Sequence, residues 1–164
     1  MAKITSINHV TLVVNELEPA AEFYEYELGL EVIPAFVFDY PTAFFKINES
    51  QQLHLTEWED VQSFRGHVCL IVDDFNSLFW RAKELGIIDT APWGKVRQLP
   101  DGAMQLFLRD PSGNLVEISS PPTYKEQVDP KIFEDELYKE GLYVSGRNDF
   151  RGYKSENATL YHGE

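Results

Sequence analysis

The run Ile7-Asn8-His9-Val10-Thr11-Leu12-Val13-Val14 returns 58 positions later as Arg65-Gly66-His67-Val68-Cys69-Leu70-Ile71-Val72. A second correspondence, at a shift of 63, lays Gln52-Leu53-His54-Leu55 over Leu115-Val116-Glu117-Ile118. The shift grows because the second copy has a longer middle connection. Each copy opens with an alternating strand followed by a candidate helix cap, Asn15 or Asp73. A helical pattern comes next, over about 17–28 with Ala21, Tyr24 and Leu28, and over about 75–85 with Phe75, Leu78, Phe79, Ala82 and Leu85. Both helices are expected to stop at Leu-Gly, Leu28-Gly29 and Leu85-Gly86, where glycine can take the left-handed conformation. Three short strands are expected after each: 30–38, 42–48 and 51–56 in the first copy, and 87–97, 103–109 and 114–119 in the second. Pro41, Pro100-Asp101-Gly102 and Pro111-Ser112-Gly113 supply turns. The expectation is an α+β fold of duplicated βαβββ modules, about 4–58 and 64–120, with a curved mixed sheet. Neither module could bury both faces of its sheet alone.

Strand alternation sorts the side chains. Val10, Leu12 and Val14 face one way and His9 and Thr11 the other; Val68, Leu70 and Val72 oppose His67 and Cys69. His54 sits between Leu53 and Leu55, and Glu117 between Val116 and Ile118. Four potential ligands, His9, His54, His67 and Glu117, thus take corresponding places on the first and last strands of each module, on the face away from the helices. Such polar intrusions are costly unless paired, hydrated or metallated. Three imidazoles and a carboxylate suit one divalent ion, with zinc, nickel, cobalt, manganese and ferrous iron all compatible. A thiolate site is not indicated, since Cys69 is the lone cysteine.

Fourteen Lys and Arg against 27 Asp and Glu give a net charge of −13, which disfavours nucleic acid and anionic membranes as partners. One cysteine excludes an intrachain disulfide, and the first fifteen residues do not read as a signal peptide, so a cytoplasmic location is expected. After Pro121-Pro122 the chain changes character. A C-terminal extension over 121–164 holds five of the eight tyrosines: Tyr124, Tyr138, Tyr143, Tyr153 and Tyr161. Asp129-Pro130 is expected to start a short helix reaching about Lys139.

The chain resembles the vicinal oxygen chelate superfamily, which includes glyoxalase I, type I extradiol dioxygenases, fosfomycin-resistance thiol transferases and metal-free bleomycin-binding proteins. The likeness covers about residues 4–120. It is carried by Ile7-Asn8-His9-Val10, Ala21-Glu22-Phe23-Tyr24 leading to Leu28-Gly29-Leu30, Gly66-His67-Val68, and Asp110-Pro111-Ser112-Gly113-Asn114-Leu115-Val116-Glu117. The resemblance implies a concave metal-binding cavity, with metal positions matching His9, His54, His67 and Glu117, and a homodimer.

It also implies a metal that chelates adjacent substrate oxygens. A glyoxalase-like lyase or isomerase would use Glu117 as base, with His54 as a second catalytic candidate where relatives carry a glutamate or glutamine. An extradiol dioxygenase would use His9, His67 and Glu117 as an iron triad. Against it, Phe107 stands where those enzymes have a tyrosine, and Gln98, Leu99 and Pro100 offer no histidine. A non-catalytic small-molecule binding or resistance protein is the third class. Candidate pocket residues are Phe44, Lys46, Cys69, Trp93, Arg97, Gln105, Phe107 and Arg109. Lys46 and Arg109, related by the shift of 63, and Arg97 would meet an anionic group.

Overall fold

The computed structural model describes residues 7–36, 40–59, 67–91, 96–140 and 159. The chain divides into two compact units, one of Met1–Gly66 with Arg109–Leu115, the other of His67–Leu108 with Val116–Glu164. Among the described residues the elements run β1 (His9–Val14), α1 (Leu17–Glu22), β2 (Glu31–Ile33), β3 (Thr42–Lys46), β4 (Gln52–Glu57), β5 (His67–Ile71), α2 (Phe75–Leu85), β6 (Arg97–Gln98), β7 (Met104–Arg109), β8 (Leu115–Ser119) and α3 (Pro130–Phe133). They form two four-stranded mixed sheets, ordered β1-β4-β3-β2 and β5-β8-β7-β6. In both, the first strand of the module lies beside the last. No helix among the described residues is long and apolar enough to cross a membrane.

In the first unit β1 runs parallel to β4, and β3 pairs antiparallel with both β2 and β4. Parallel partners need a crossover, which α1 supplies. Ala20 of this helix and Tyr24 just after it are buried, as are Val14, Phe45, Leu53 and Leu55 of the sheet. The helix differs from the sequence expectation in two ways. It is α-helical only to Glu22 and continues as a π-helical turn over Phe23–Glu27. Phe23 and Tyr24, consecutive residues of this turn, both lie in the core. Its first residue is also capped from afar: Glu57 Oε2 accepts from Leu17 N at 2.7 Å, whereas Asn15 instead pairs with Ser112. Gly29, at φ 70°, closes the helix as expected.

Tyr24 anchors this unit. Its hydroxyl donates to Asp110 Oδ2 at 3.0 Å, while Asp110 Oδ1 accepts from Ser112 N and Asn114 N. Burial, then the Asp110 carboxylate, push the phenol above its ordinary value, so it remains a donor. Asn114 extends the net to β1 by donating from Nδ2 to Val13 O at 2.9 Å. The Asp-Pro-Ser-Gly-Asn turn is therefore a packing element of the first unit, although it joins strands of the second sheet.

The second unit is built around α2, whose Phe75, Phe79 and Ala82 are buried with Met104, Leu106, Leu108, Val116 and Ile118. Its cap is Asp74, not Asp73: the carboxylate accepts from Ser77 N at 3.0 Å. Gly86, at φ 68°, ends it. Strand β2 is shorter than the expected 30–38. Of the expected 87–97 strand, the described residues keep a bridge from Ile88 to Leu108 and the two-residue β6.

The extension after Ser120 packs along α2 as a strap. A 3-10 helix (Pro122–Gln127) buries Tyr124, Asn76 bonds Gln127 O and Asp129 N, Trp80 Nε1 donates to Asp129, and Lys83 pairs with Asp135. The expected helix to Lys139 ends at Phe133 because its continuation finds other backbone partners. Val96 N donates to Leu137 O at 2.8 Å and Lys139 N to Val96 O at 2.9 Å, a parallel bridge that a helix would forbid. Tyr143, Tyr153 and Tyr161 lie outside the described residues.

Replacing Asp74 by alanine is expected to cost about 1 kcal/mol at neutral pH, the usual worth of such a cap. Ser77 holds the Asp74 carboxyl below its ordinary 3.8, so its contribution is present above that value and lost as pH falls through the lowered folded value. Urea unfolding of the wild type and Asp74→Ala should therefore differ at pH 7 and converge at acid pH.

Candidate functional site

The functional side chains of each unit lie in a row across one face of its sheet. In the first unit the register sets His54 opposite Phe44 and Phe44 opposite Ile33, with Thr11 against His54, so His9 sits one diagonal step away. The rings stack. Phe44 and His54 have centroids 3.5 Å apart at 3°, and His54 and His9 4.3 Å apart at 15°. Phe36 meets the other end edge-on at 6.3 Å. His54 Nε2 lies 2.8 Å from Gln52 Oε1, and His9 Nδ1 2.8 Å from Asn8 Oδ1. Burial, and then the neighbouring His9, lower His54 below the ordinary imidazole value, so it favours the neutral form.

In the second unit the row is polar. Glu117, only 4% exposed, takes Gln105 Nε2 on Oε1 at 2.6 Å and His67 Nε2 on Oε2 at 2.9 Å. Cys69, two residues beyond His67 and so on the same face, bonds to Glu117 as well. Burial, then the charge of Glu117 and that hydrogen bond, push the thiol up to about 12, although the residue as a whole borders solvent on an edge strand. Arg97, buried, pairs in register with Gln105 and carries the row to β6. Phe107 packs edge-on against His67 at 5.3 Å.

Two of the expected anion contacts are held locally. Lys46 pairs with Glu49 at 2.7 Å, on the exposed side of the β3–β4 turn, and Arg109 Nη1 donates to Gly113 O at 2.8 Å, bracing the turn before β8. Trp93 lies outside the described residues. Gln52 was not among the expected site residues, yet its place two positions before His54 puts both on one face.

The His67 Nε2 and Glu117 Oε2 pair, 2.9 Å apart, has a spacing common to a hydrogen bond and to adjacent ligands on an octahedral ion. The imidazole pair behaves otherwise. Lone pairs lie in the ring plane, so nearly parallel stacked rings aim into separate planes, and only one of His9 and His54 can face an ion without leaving the stack. Among the described residues no group of three or more His, Cys, Asp or Glu side chains is placed to hold a metal.

The Glyoxalase/Bleomycin resistance protein/Dioxygenase superfamily model matches residues 6–118. Solved structures are similar too. Lactoylglutathione lyase from Agrobacterium tumefaciens is 23% identical with a TM-score of 0.57, over 75% of this chain and 98% of that one. The fosfomycin resistance protein FosX from Listeria monocytogenes is 19% identical with a TM-score of 0.58, over 73% and 95%. Oxidase ChaP-H2 is 25% identical with a TM-score of 0.60, over 73% and 96%. No curated protein sequence matches the chain.

Gln105→Leu strands Glu117 Oε1 in a buried site without this donor. The expected cost is roughly 1–3 kcal/mol in urea unfolding, and an unchanged midpoint would show that Oε1 finds a substitute partner.

Proposed function

The chain belongs to the glyoxalase/bleomycin resistance protein/dioxygenase superfamily, and from that premise we propose a divalent-metal-dependent enzyme, a glyoxalase-like lyase or isomerase that removes a proton next to a carbonyl. Its substrate is a small molecule with two adjacent oxygens. The proposed ligands are His9, His67 and Glu117, with His54 the fourth candidate; zinc, nickel, cobalt, manganese and ferrous iron all suit this donor set. When bound, the ion supplies Lewis-acid stabilisation of charge developing on the substrate oxygens.

The observation that carries this function is the buried Glu117 carboxylate with both oxygens engaged. Gln105 clamps Oε1 and so fixes the direction of Oε2, the oxygen that accepts the substrate proton. Buried Arg97 puts positive charge along the same row, suiting an oxygen-rich or anionic end of the substrate. With this function go a homodimer and a cytoplasmic location, the first checked by sedimentation.

A specific observation favours a second activity. If His54 stays stacked, the ligands reduce to two histidines and one carboxylate, the donor set of non-haem iron oxygenases. The similar solved structure named as an oxidase points the same way.

Protein purified anaerobically without added metal or chelator should contain a divalent ion. Glu117→Gln should lower turnover by at least roughly 100-fold, the scale of a lost general base, with an unchanged circular dichroism spectrum. Screening α-hydroxy ketones and thiol adducts reads the first activity, and oxygen uptake with catechols the second. Undiminished turnover by Glu117→Gln would remove it as base. His54→Ala separates the ligand sets: large metal loss means four ligands, full occupancy means three.

A further inference from the structure

We propose that Asn8 is a positioning residue for His9, its amide oxygen fixing the imidazole as the Nδ1–H tautomer and leaving the lone pair on Nε2. An amide oxygen only accepts, so the 2.8 Å approach of His9 Nδ1 to Asn8 Oδ1 places the ring proton on Nδ1. The amide is oriented from its other end, where Asn8 Nδ2 donates to Ser50 O at 3.4 Å. Turning it over would set oxygen against oxygen at Ser50 and forfeit that bond. The backbone holds these partners together, since Gln52 N donates to Asn8 O at 2.9 Å where β4 joins β1.

His54 shows the opposite arrangement. Its Nε2 lies 2.8 Å from Gln52 Oε1, so its proton sits on Nε2 and its lone pair on Nδ1. Two stacked imidazoles thereby carry their protons on different nitrogens, each dictated by a neighbouring amide. For His9 this leaves the nitrogen farther from the backbone free to bind an ion, which is the sense in which the inference rests on the metal reading above. Partners of this kind set both the orientation and the basicity of a ligating imidazole.

The test combines nitrogen-15 NMR of the metal-free protein, at about pH 8 where free imidazoles are neutral, with zinc competition titrations. Asn8 is exposed, so substitutions there should leave the fold intact, as the amide spectrum will show. Wild type and Asn8→Asp, which keeps an acceptor, should show His9 as Nδ1–H, and Asn8→Leu should move the proton to Nε2. Zinc affinity should fall roughly 10–100-fold in Asn8→Leu and be retained in Asn8→Asp. A wild-type His9 protonated on Nε2, or a tautomer unmoved by Asn8→Leu, would overturn the assignment. If the tautomer switches but the wild type binds no zinc, the role of Asn8 stands and the metal reading falls.

Discussion

In each sheet the first strand of the module hydrogen-bonds beside the last, and the chemistry depends on that adjacency. The helix between them makes the pairing possible, because a parallel neighbour cannot be reached by a tight turn. Once β1 lies along β4, His9 and His54 share a face within ring-stacking distance. Once β5 lies beside β8, His67 meets Glu117. Residues far apart in the chain become partners through strand order, and the alternation of apolar neighbours keeps them off the helix-packed side.

The two units have used the same scaffold differently. Where the first unit has Phe44 against His54, the corresponding second-unit positions are Phe107 and Glu117. Phe107 turns its edge to His67, and Gln105 takes the place beside the carboxylate. One row is apolar enough to depress a histidine. The other concentrates a carboxylate, an amide, a thiol and a guanidinium. The duplicated strands share one geometry, and the two rows differ in what they pair: rings in the first, polar groups in the second.

Strands were legible because half-buried strands alternate, and the repeat fixed which residues share a face. The paired donors followed from the same parity. Cap identity was off by one residue in α2 because Asp73 and Asp74 are chemically equivalent in sequence, and only backbone direction chooses between them. The π-helical turn has no signal in apolar spacing, since Phe23 and Tyr24 read as ordinary helix residues until both are found inside. The early end of α3 arose from Val96, some forty residues upstream, which no local pattern announces. Ring stacking and imidazole tautomers lay further out of reach: rotamers and proton positions depend on Asn8, Ser50 and Gln52 acting together.

The strap along α2 separates ancestry from architecture. The match to the family model ends at residue 118, yet Tyr124 and Ile132 are buried in the second unit, and the backbone of Leu137 and Lys139 grips Val96, the neighbour of Arg97. A fragment trimmed to the matched portion would expose the side of α2 that the strap covers and remove the backbone partners of Val96. In this protein the smallest piece that can stand for the site is longer than the piece its kinship defines.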